Sequence, residues 1–254
     1  MSGQLDGVVA VVTGASGGLG EHFARLLARE GAAVALTARR ADRIEAIAGE
    51  LARAGTRAIA VPLDVADAHA IGPAFDRIQE VLGPIGVLVN NAGVGGEGLA
   101  LDLSVEAFDN TFAVNVRGTY FAAVEAARRM IAAGVSGRIV NIASIASHTV
   151  LPGLSAYCGS KAATAMLTRS LAREWARKGI AVNALCPGYI ETDINAAWFR
   201  TEGGQKQIRA FPRRRLMEPT DLDAALLMLA GPAAGSITGS VITIDDGQSL
   251  PGGG

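Results

Sequence analysis

Thr13-Gly14-Ala15-Ser16-Gly17-Gly18-Leu19-Gly20 follows the apolar run Val8 to Val12 and leads into a segment of helical period beginning at about Gly18. Glycine tolerates the backbone angles of a tight turn, and without a side chain in the way the N–H groups of the turn can approach an anion at the helix N-terminus. The spacing Gly14-x3-Gly18-x-Gly20 departs from the G-x-G-x-x-G form of a dinucleotide turn. Its place between the first strand and the first helix favours a phosphate-binding reading, because a purely structural turn needs no third glycine. The residues Gly14-Ala15-Ser16-Gly17-Gly18 also fit G-x-S-x-G, the strand-to-helix elbow of serine hydrolases. That alternative needs an oxyanion loop after an earlier strand, yet fifteen residues precede Ser16, and it needs a triad histidine, yet none follows His148.

Outward from this turn, short β-branched runs alternate with longer helical segments. After Val8 to Thr13, the strand-like runs are Ala33 to Thr37, Ala58 to Val61, Val87 to Val89, Arg138 to Ile142, Ile180 to Leu185 and Ser240 to Ile244. Helices are expected with Ile44, Ile47 and Leu51 on one face, around Phe75, Ile78 and Leu82, on either side of Arg117-Gly118, from about Ser155 and from near Thr220. Short strands that are mostly apolar throughout fit a parallel sheet with helices on both faces, a doubly wound α/β fold. In such a sheet ligands bind beyond the carboxyl ends of the strands, so the residues that follow strands carry the chemistry.

The chain has 254 residues, with Lys+Arg 23 against Asp+Glu 24, a net charge of −1, 50% hydrophobic and 19% charged residues. With a mean hydropathy of +0.31, this excludes a disordered chain and a polyanion-binding surface, so nucleic acid is not an expected partner. The length fits one α/β domain over residues 1–254. Cys158 and Cys186 are too few for a disulfide framework, and His22, His69 and His148 are too scattered for a metal site. The N-terminal apolar run is too short for a secretory or membrane segment, so a cytoplasmic protein without a membrane partner is expected. Pro251 to Gly254 reads as a frayed tail.

About 20 residues past a dinucleotide turn, an acid would bind the ribose of NAD and an arginine the 2′-phosphate of NADP. Here the second strand ends Leu36-Thr37-Ala38-Arg39-Arg40, with no carboxylate before Asp42. Arg39 and Arg40 therefore favour NADP(H), with NAD(H) as the alternative. Farther on, Ser144 follows the strand ending at Ile142, and Tyr157 and Lys161 stand four apart at the start of a long helix, on one face of it. A Tyr-x3-Lys pair is common by chance. In a helix as apolar as Ala156, Ala162, Ala163, Ala165, Met166 and Leu167 make this one, a lysine is expensive to place without partners.

Taken with Asn90-Asn91-Ala92-Gly93, Asn115, Pro187-Gly188 and the terminal Ile237-Thr238-Gly239-Ser240-Val241-Ile242-Thr243-Ile244-Asp245-Asp246-Gly247, these motifs make nearly the whole chain resemble the short-chain dehydrogenase/reductase family. The resemblance implies a single-domain Rossmann fold with seven parallel strands, a nicotinamide cofactor, and oxidation or reduction at a carbon bearing oxygen. It implies Tyr157 as general acid/base, Ser144 as donor to the developing oxyanion, Lys161 on the nicotinamide ribose and Asn115 holding a relay water. Cofactor contacts are implied for Gly14, Ser16, Gly18, Leu19, Gly20, Asp64, Val65, Asn91, Ala92, Gly93, Pro187, Gly188, Ile190 and Thr192. Asp246, where a glycine is common, and Cys158 depart from the pattern. An ordinary tyrosine titrates near 10, and the neighbouring Lys161 ammonium is expected to lower it.

Residues 189–217 carry Tyr189, Ile194, Trp198, Phe199, Ile208 and Phe211. As a substrate lid they would favour a hydrophobic or aromatic ketone or secondary alcohol; as a helical hairpin they would fill their own core. Arg213-Arg214-Arg215 keeps a 3-oxoacyl-thioester reductase as an alternative, although a solvated basic run also fits. A third reading, of another class, is a non-catalytic NADP(H) sensor. The sparsely charged helices Tyr120 to Met130 and Ala156 to Leu171 point to self-association, as the homotetramer usual in the family or as a dimer.

Overall fold

Every residue of β1 (Val9–Thr13) is buried. Its alternate side chains enter two separate apolar layers, Ala10 and Val12 one and Val9 and Val11 the other, as a strand covered on both faces must. The computed structural model describes residues 3–96, 98–192 and 195–250. Among these, β1 is joined by β2 (Ala33–Ala38), β3 (Ala58–Pro62), β4 (Ile85–Asn90), β5 (Arg138–Ile142), β6 (Ala181–Pro187) and β7 (Val241–Ile244). They form one seven-stranded sheet in the order β3-β2-β1-β4-β5-β6-β7, parallel at every pairing.

The helices are α1 (Gly18–Arg29), α2 (Ala41–Arg53), α3 (Ala68–Leu82), α4 (Val105–Phe112), α5 (Thr119–Ala132), α6 (Ser155–Trp175), α7 (Ala196–Phe199), α8 (Glu202–Ala210) and α9 (Asp223–Ala230). Phe23 and Leu27 of α1, Ile44 and Leu51 of α2 and Leu226 of α9 pack on one face of the sheet. Ile71, Phe75 and Ile78 of α3, Met130 of α5 and Leu171 of α6 pack on the other. Fully burying one such side chain contributes about 1.5–3 kcal/mol, so the two layers fix the positions of the strands. None of the described helices is long and apolar enough to cross a membrane.

β1 lies beside β4 although β2 and β3 come between them in sequence. The winding therefore reverses there, and a crevice opens above the carboxyl ends of β1 and β4. All seven expected strands form, with ends within about two residues of those read from the pattern. One feature differs. The helices expected on either side of Arg117-Gly118 are one continuous rod, joined by a turn of π-helix at Ala113–Gly118. Residues 189–217 contain the helices α7 and α8. Ile194 and the tail from Pro251 to Gly254 lie outside the described residues.

Candidate active site

The turn after β1 has no room for side chains at Gly14 and Gly20. Gly14 has φ +67°, and a Cβ there would fall 2.8 Å from the Ala92 Cα; a Cβ on Gly20 would fall 2.2 Å from the Gly14 carbonyl oxygen. Gly18, with φ +53°, has room for a Cβ, which would make ordinary contact with the Thr192 methyl at 3.8 Å. Leu19 follows in the first turn of α1, whose N-terminus no side chain caps. Those first N–H groups therefore remain free to bind an anion. The turn is stitched to the end of β4: Thr13 Oγ1 accepts the N–H groups of Asn91 and Ala92, both at 3.0 Å. Asn91 Nδ2 donates to the carbonyls of Thr13 at 3.1 Å and Gly14 at 3.2 Å.

Arg39 and Arg40 follow β2, both exposed. It is Arg40 that crosses to the turn, donating to Ser16 Oγ at 3.0 and 3.1 Å and to the Ser16 carbonyl at 3.1 Å. The Ser16 hydroxyl thus faces a guanidinium rather than a histidine, which removes the hydrolase elbow. After β3, exposed Asp64 accepts the Ala66 N–H at 3.0 Å. Buried Val65 lies under Gly118, where a Cβ would come 2.8 Å from the Val65 carbonyl oxygen.

Beyond β5 and on α6, three polar side chains meet. Lys161 is 5% exposed; its Nζ donates to the Ile142 carbonyl at 2.8 Å and lies 5.7 Å from the centre of the Tyr157 ring. The Ser144 hydroxyl accepts the Ala146 N–H at 3.1 Å and neighbours the Tyr157 phenol, whose pKa it acts to lower. Part of the Tyr157 side chain is accessible, but desolvation is still the largest influence on its phenol and pushes the pKa up, against the smaller lowering by Ser144. Burial takes the Lys161 pKa down to about 8. The expectation that Lys161 makes the phenol more acidic is therefore corrected: spacing identifies the neighbour, but burial of the phenol sets the direction of its shift, which is upward. Gly93 completes this corner, since a Cβ there would stand 3.5 Å from Lys161 Nζ and 3.4 Å from Asn115 Oδ1.

Asn115 lies within the π-helical turn, an irregularity that often marks a functional position. Its side chain accepts the Val94 N–H at 2.8 Å and donates to the Val94 carbonyl at 2.9 Å and to Ser160 Oγ at 3.0 Å. Its carbonyl accepts a 3.1 Å hydrogen bond from Thr164 Oγ1. Thr168 accepts from Asn141, which accepts in turn from Asn90. Ser160, Thr164 and Thr168 thus form a buried polar stripe, unassigned in the sequence reading, that pins α6 to the π-turn and to β5. Its signal is polar residues every fourth position in an otherwise apolar helix.

After β6, Pro187 ends the strand and the Gly188 N–H donates to the Ile244 carbonyl at 2.9 Å. Ile190 is buried, and the Thr192 N–H donates to Asn195 Oδ1 at 2.8 Å. Tyr189 stacks on Phe211, ring centres 5.4 Å apart, and meets Phe199 edge-on at 5.7 Å. Trp198 is half exposed and donates to Gln207 at 2.8 Å. Phe199 and Phe211 therefore both pack on Tyr189. Arg213 and Arg215 face Asp246, at 3.5 and 2.7 Å, so the basic run is partly neutralised rather than simply solvated.

A doubly wound sheet, a glycine turn at its winding reversal and a Ser, Tyr and Lys set across the crevice together define a Rossmann-type oxidoreductase fold. Residues 8–203 match the family model described as short chain dehydrogenase, and the chain belongs to that family. It is 39% identical to oxidoreductase UcpA of Salmonella typhimurium over 257 residues, covering 98% of this chain and 97% of that protein. It is 38% identical over 250 residues to the L-tagatose-forming galactitol 2-dehydrogenase of Cereibacter sphaeroides, covering 97% of each. Among solved structures it is similar to a gluconate 5-dehydrogenase from Burkholderia cenocepacia J2315 in complex with NADP and tartrate. The TM-score is 0.93 and the identity 32%, covering 98% of this chain and 97% of the other.

Proposed function

We propose that this oxidoreductase interconverts a ketone and a secondary alcohol with NADP(H), using Tyr157 as general acid/base. The observation that carries the reading is the meeting of Ser144, Tyr157 and Lys161 beside the glycine-lined crevice. The cradle fits a dinucleotide: Gly14 and Gly20 have no space for a side chain, and Gly93 lies against the Lys161 amine, a Cβ there 3.5 Å from it. Gly14, Ser16, Gly18, Leu19 and Gly20 would hold the pyrophosphate, and Arg39 and Arg40, with Ser16, the 2′-phosphate. Asp64 and Val65 would border the adenine, and Asn91, Ala92 and Gly93 the ribose. Pro187, Gly188, Ile190 and Thr192 would border the nicotinamide, with Tyr157 and Lys161 on its ribose. Once bound, the nicotinamide supplies or takes up the hydride.

In reduction, Tyr157 gives its proton to the substrate oxygen while Ser144 stabilises the charge building there. Lys161, charged below about pH 8, favours the phenolate that remains. Asn115 ties the π-turn to α6 through Ser160, which lies between Tyr157 and Lys161 in sequence, and would hold the relay water. The intact Ser144, Tyr157 and Lys161 set favours an enzyme over a nucleotide sensor.

For the substrate, the packing of Phe199 and Phe211 on Tyr189 leaves less aromatic surface for a ligand than the sequence suggested. The relatives are named for galactitol and gluconate. A polyol or sugar acid is therefore favoured over an aromatic ketone. The engagement of Arg213 and Arg215 with Asp246 weighs against a thioester phosphate there. The test is absorbance of reduced nicotinamide with galactitol, threitol, gluconate, their ketones, an aromatic ketone and a 3-oxoacyl thioester, each with NADP(H) and NAD(H). Turnover of the first group with NADP(H) is expected; cofactor binding without turnover of any member would leave the sensor.

The partly exposed helices α4, α5 and α6, with Phe108, Phe121 and Met166 at 44, 40 and 58% exposure, support a homotetramer or homodimer.

A further inference from the structure

The turn after β7 grips both ends of residues 189–217, and none of its side chains has a part in the chemistry above. Gln248 Oε1 accepts the Tyr189 N–H at 2.6 Å, and Gln248 Nε2 donates to the Arg215 carbonyl at 3.4 Å. The largely buried carboxylate of Asp246 lies 2.7 Å from Arg215 and 3.5 Å from Arg213; Arg215 also meets Asp221 at 3.2 Å. The two ends are tied to each other as well, the Met217 N–H donating to the Tyr189 carbonyl at 2.9 Å.

The turn is itself rigid. Asp245 accepts from the N–H groups of Gly247 at 2.9 Å and Ser249 at 2.8 Å, and from the Ser249 hydroxyl at 2.5 Å. It fits closely on the exit from β6, since a Cβ on Gly188 would come 2.4 Å from Gln248 Oε1. Among the described residues, Arg214 at φ 53° and Asp246 at φ 54° are the non-glycine residues of positive φ, and they belong to the two sides of this one contact. Such backbone persists where its surroundings over-determine it.

We propose that Gln248 and Asp246 are positioning residues for the reaction, a neutral clip and a charged latch that hold Tyr189, Phe199 and Phe211 in place on the substrate side of Tyr157. The proposal rests on the reading of this segment as the substrate border.

Asp246→Gly suits the positive φ while deleting the carboxylate, and Asp246→Asn tolerates it without the charge. Hydrogen exchange is followed in residues 195–217 together with steady-state kinetics on the substrate found in the panel. Both variants are expected to exchange about threefold to tenfold faster there, with β1 and β4 unchanged. KM for the substrate should rise by a similar factor, while NADPH affinity stays within about twofold. Gln248→Glu, which keeps the acceptor for Tyr189, should lie nearer the wild-type KM than Gln248→Ala. Raising salt from about 0.05 to about 0.5 M should speed exchange in the wild type and not in Asp246→Gly. Wild-type exchange in Asp246→Gly, or KM for NADPH rising alongside that for the substrate, overturns the proposal. If the panel yields no turnover, the functional reading fails while exchange still decides whether the clamp exists.

Discussion

Lys161 is an amine that the fold strips of water, with a carbonyl at 2.8 Å as its recorded hydrogen-bond partner, and its pKa falls from the ordinary 10.5 to about 8. Between those values the unfolded chain holds a proton that the folded chain has lost, so stability rises with pH across that window. Relative to Lys161→Met, the wild type should gain on the order of 3 kcal/mol between about pH 7 and 10, read by chemical denaturation; a flat difference would show the amine to be solvated. Tyr157 moves the other way. Burial holds its phenol protonated, which suits proton donation at neutral pH and leaves the oxidation of alcohols short of base. Alcohol oxidation should therefore quicken as pH rises above neutrality, whereas ketone reduction should not. Tyr157→Phe should lose about 10²–10⁴-fold in turnover and still bind NADPH. Arg39→Ala and Arg40→Ala should raise KM for NADPH by about tenfold or more and leave that for NADH nearly unchanged; equal effects on both would reassign the pair.

The turn between β1 and α1 is where local sterics can be tested most directly. Gly20→Ala sets a methyl 2.2 Å from a backbone oxygen, so the turn must open, at about 1–3 kcal/mol and with loss of nucleotide affinity. Gly49→Ala is the counterpart within α2, where a Cβ meets nothing within 4 Å. It should stabilise by roughly 0.5–1 kcal/mol and leave binding alone. Denaturation and nucleotide titration of the pair separate the two effects. Elements of this kind were legible beforehand, because β-branched runs and the 3.6-residue period of Ile44, Ile47 and Leu51 are imposed by burial on both faces of a sheet. The π-turn was not. Six residues, Ala113–Gly118, are too few to distinguish its wider period from an ordinary helix. The facing of Tyr189, Phe199 and Phe211 was equally hidden, since composition does not say which side of a ring another ring will occupy.

Across the whole chain, the sheet order sets stability and chemistry apart: the two apolar layers lie along the strands, and the side chains proposed to react lie past their carboxyl ends. The order of the motifs along the sequence made that end of the molecule readable, but partners brought in from far away, such as Gln248 on Tyr189, leave no local pattern. The surface of α4 to α6 predicts association. Met166→Glu should weaken it by at least about tenfold by sedimentation, and an unchanged oligomer would move the interface elsewhere. The wound turn at Asn115 bears on how such a chain can change. Each helical residue advances about 100° around the axis, so deleting a single codon between Ala113 and Gly118 would yield a smoother rod and swing the asparagine away from Val94 and Ser160. A shorter chain of that sort is expected to keep its helical content by circular dichroism and, if the proposed role of Asn115 holds, to lose turnover.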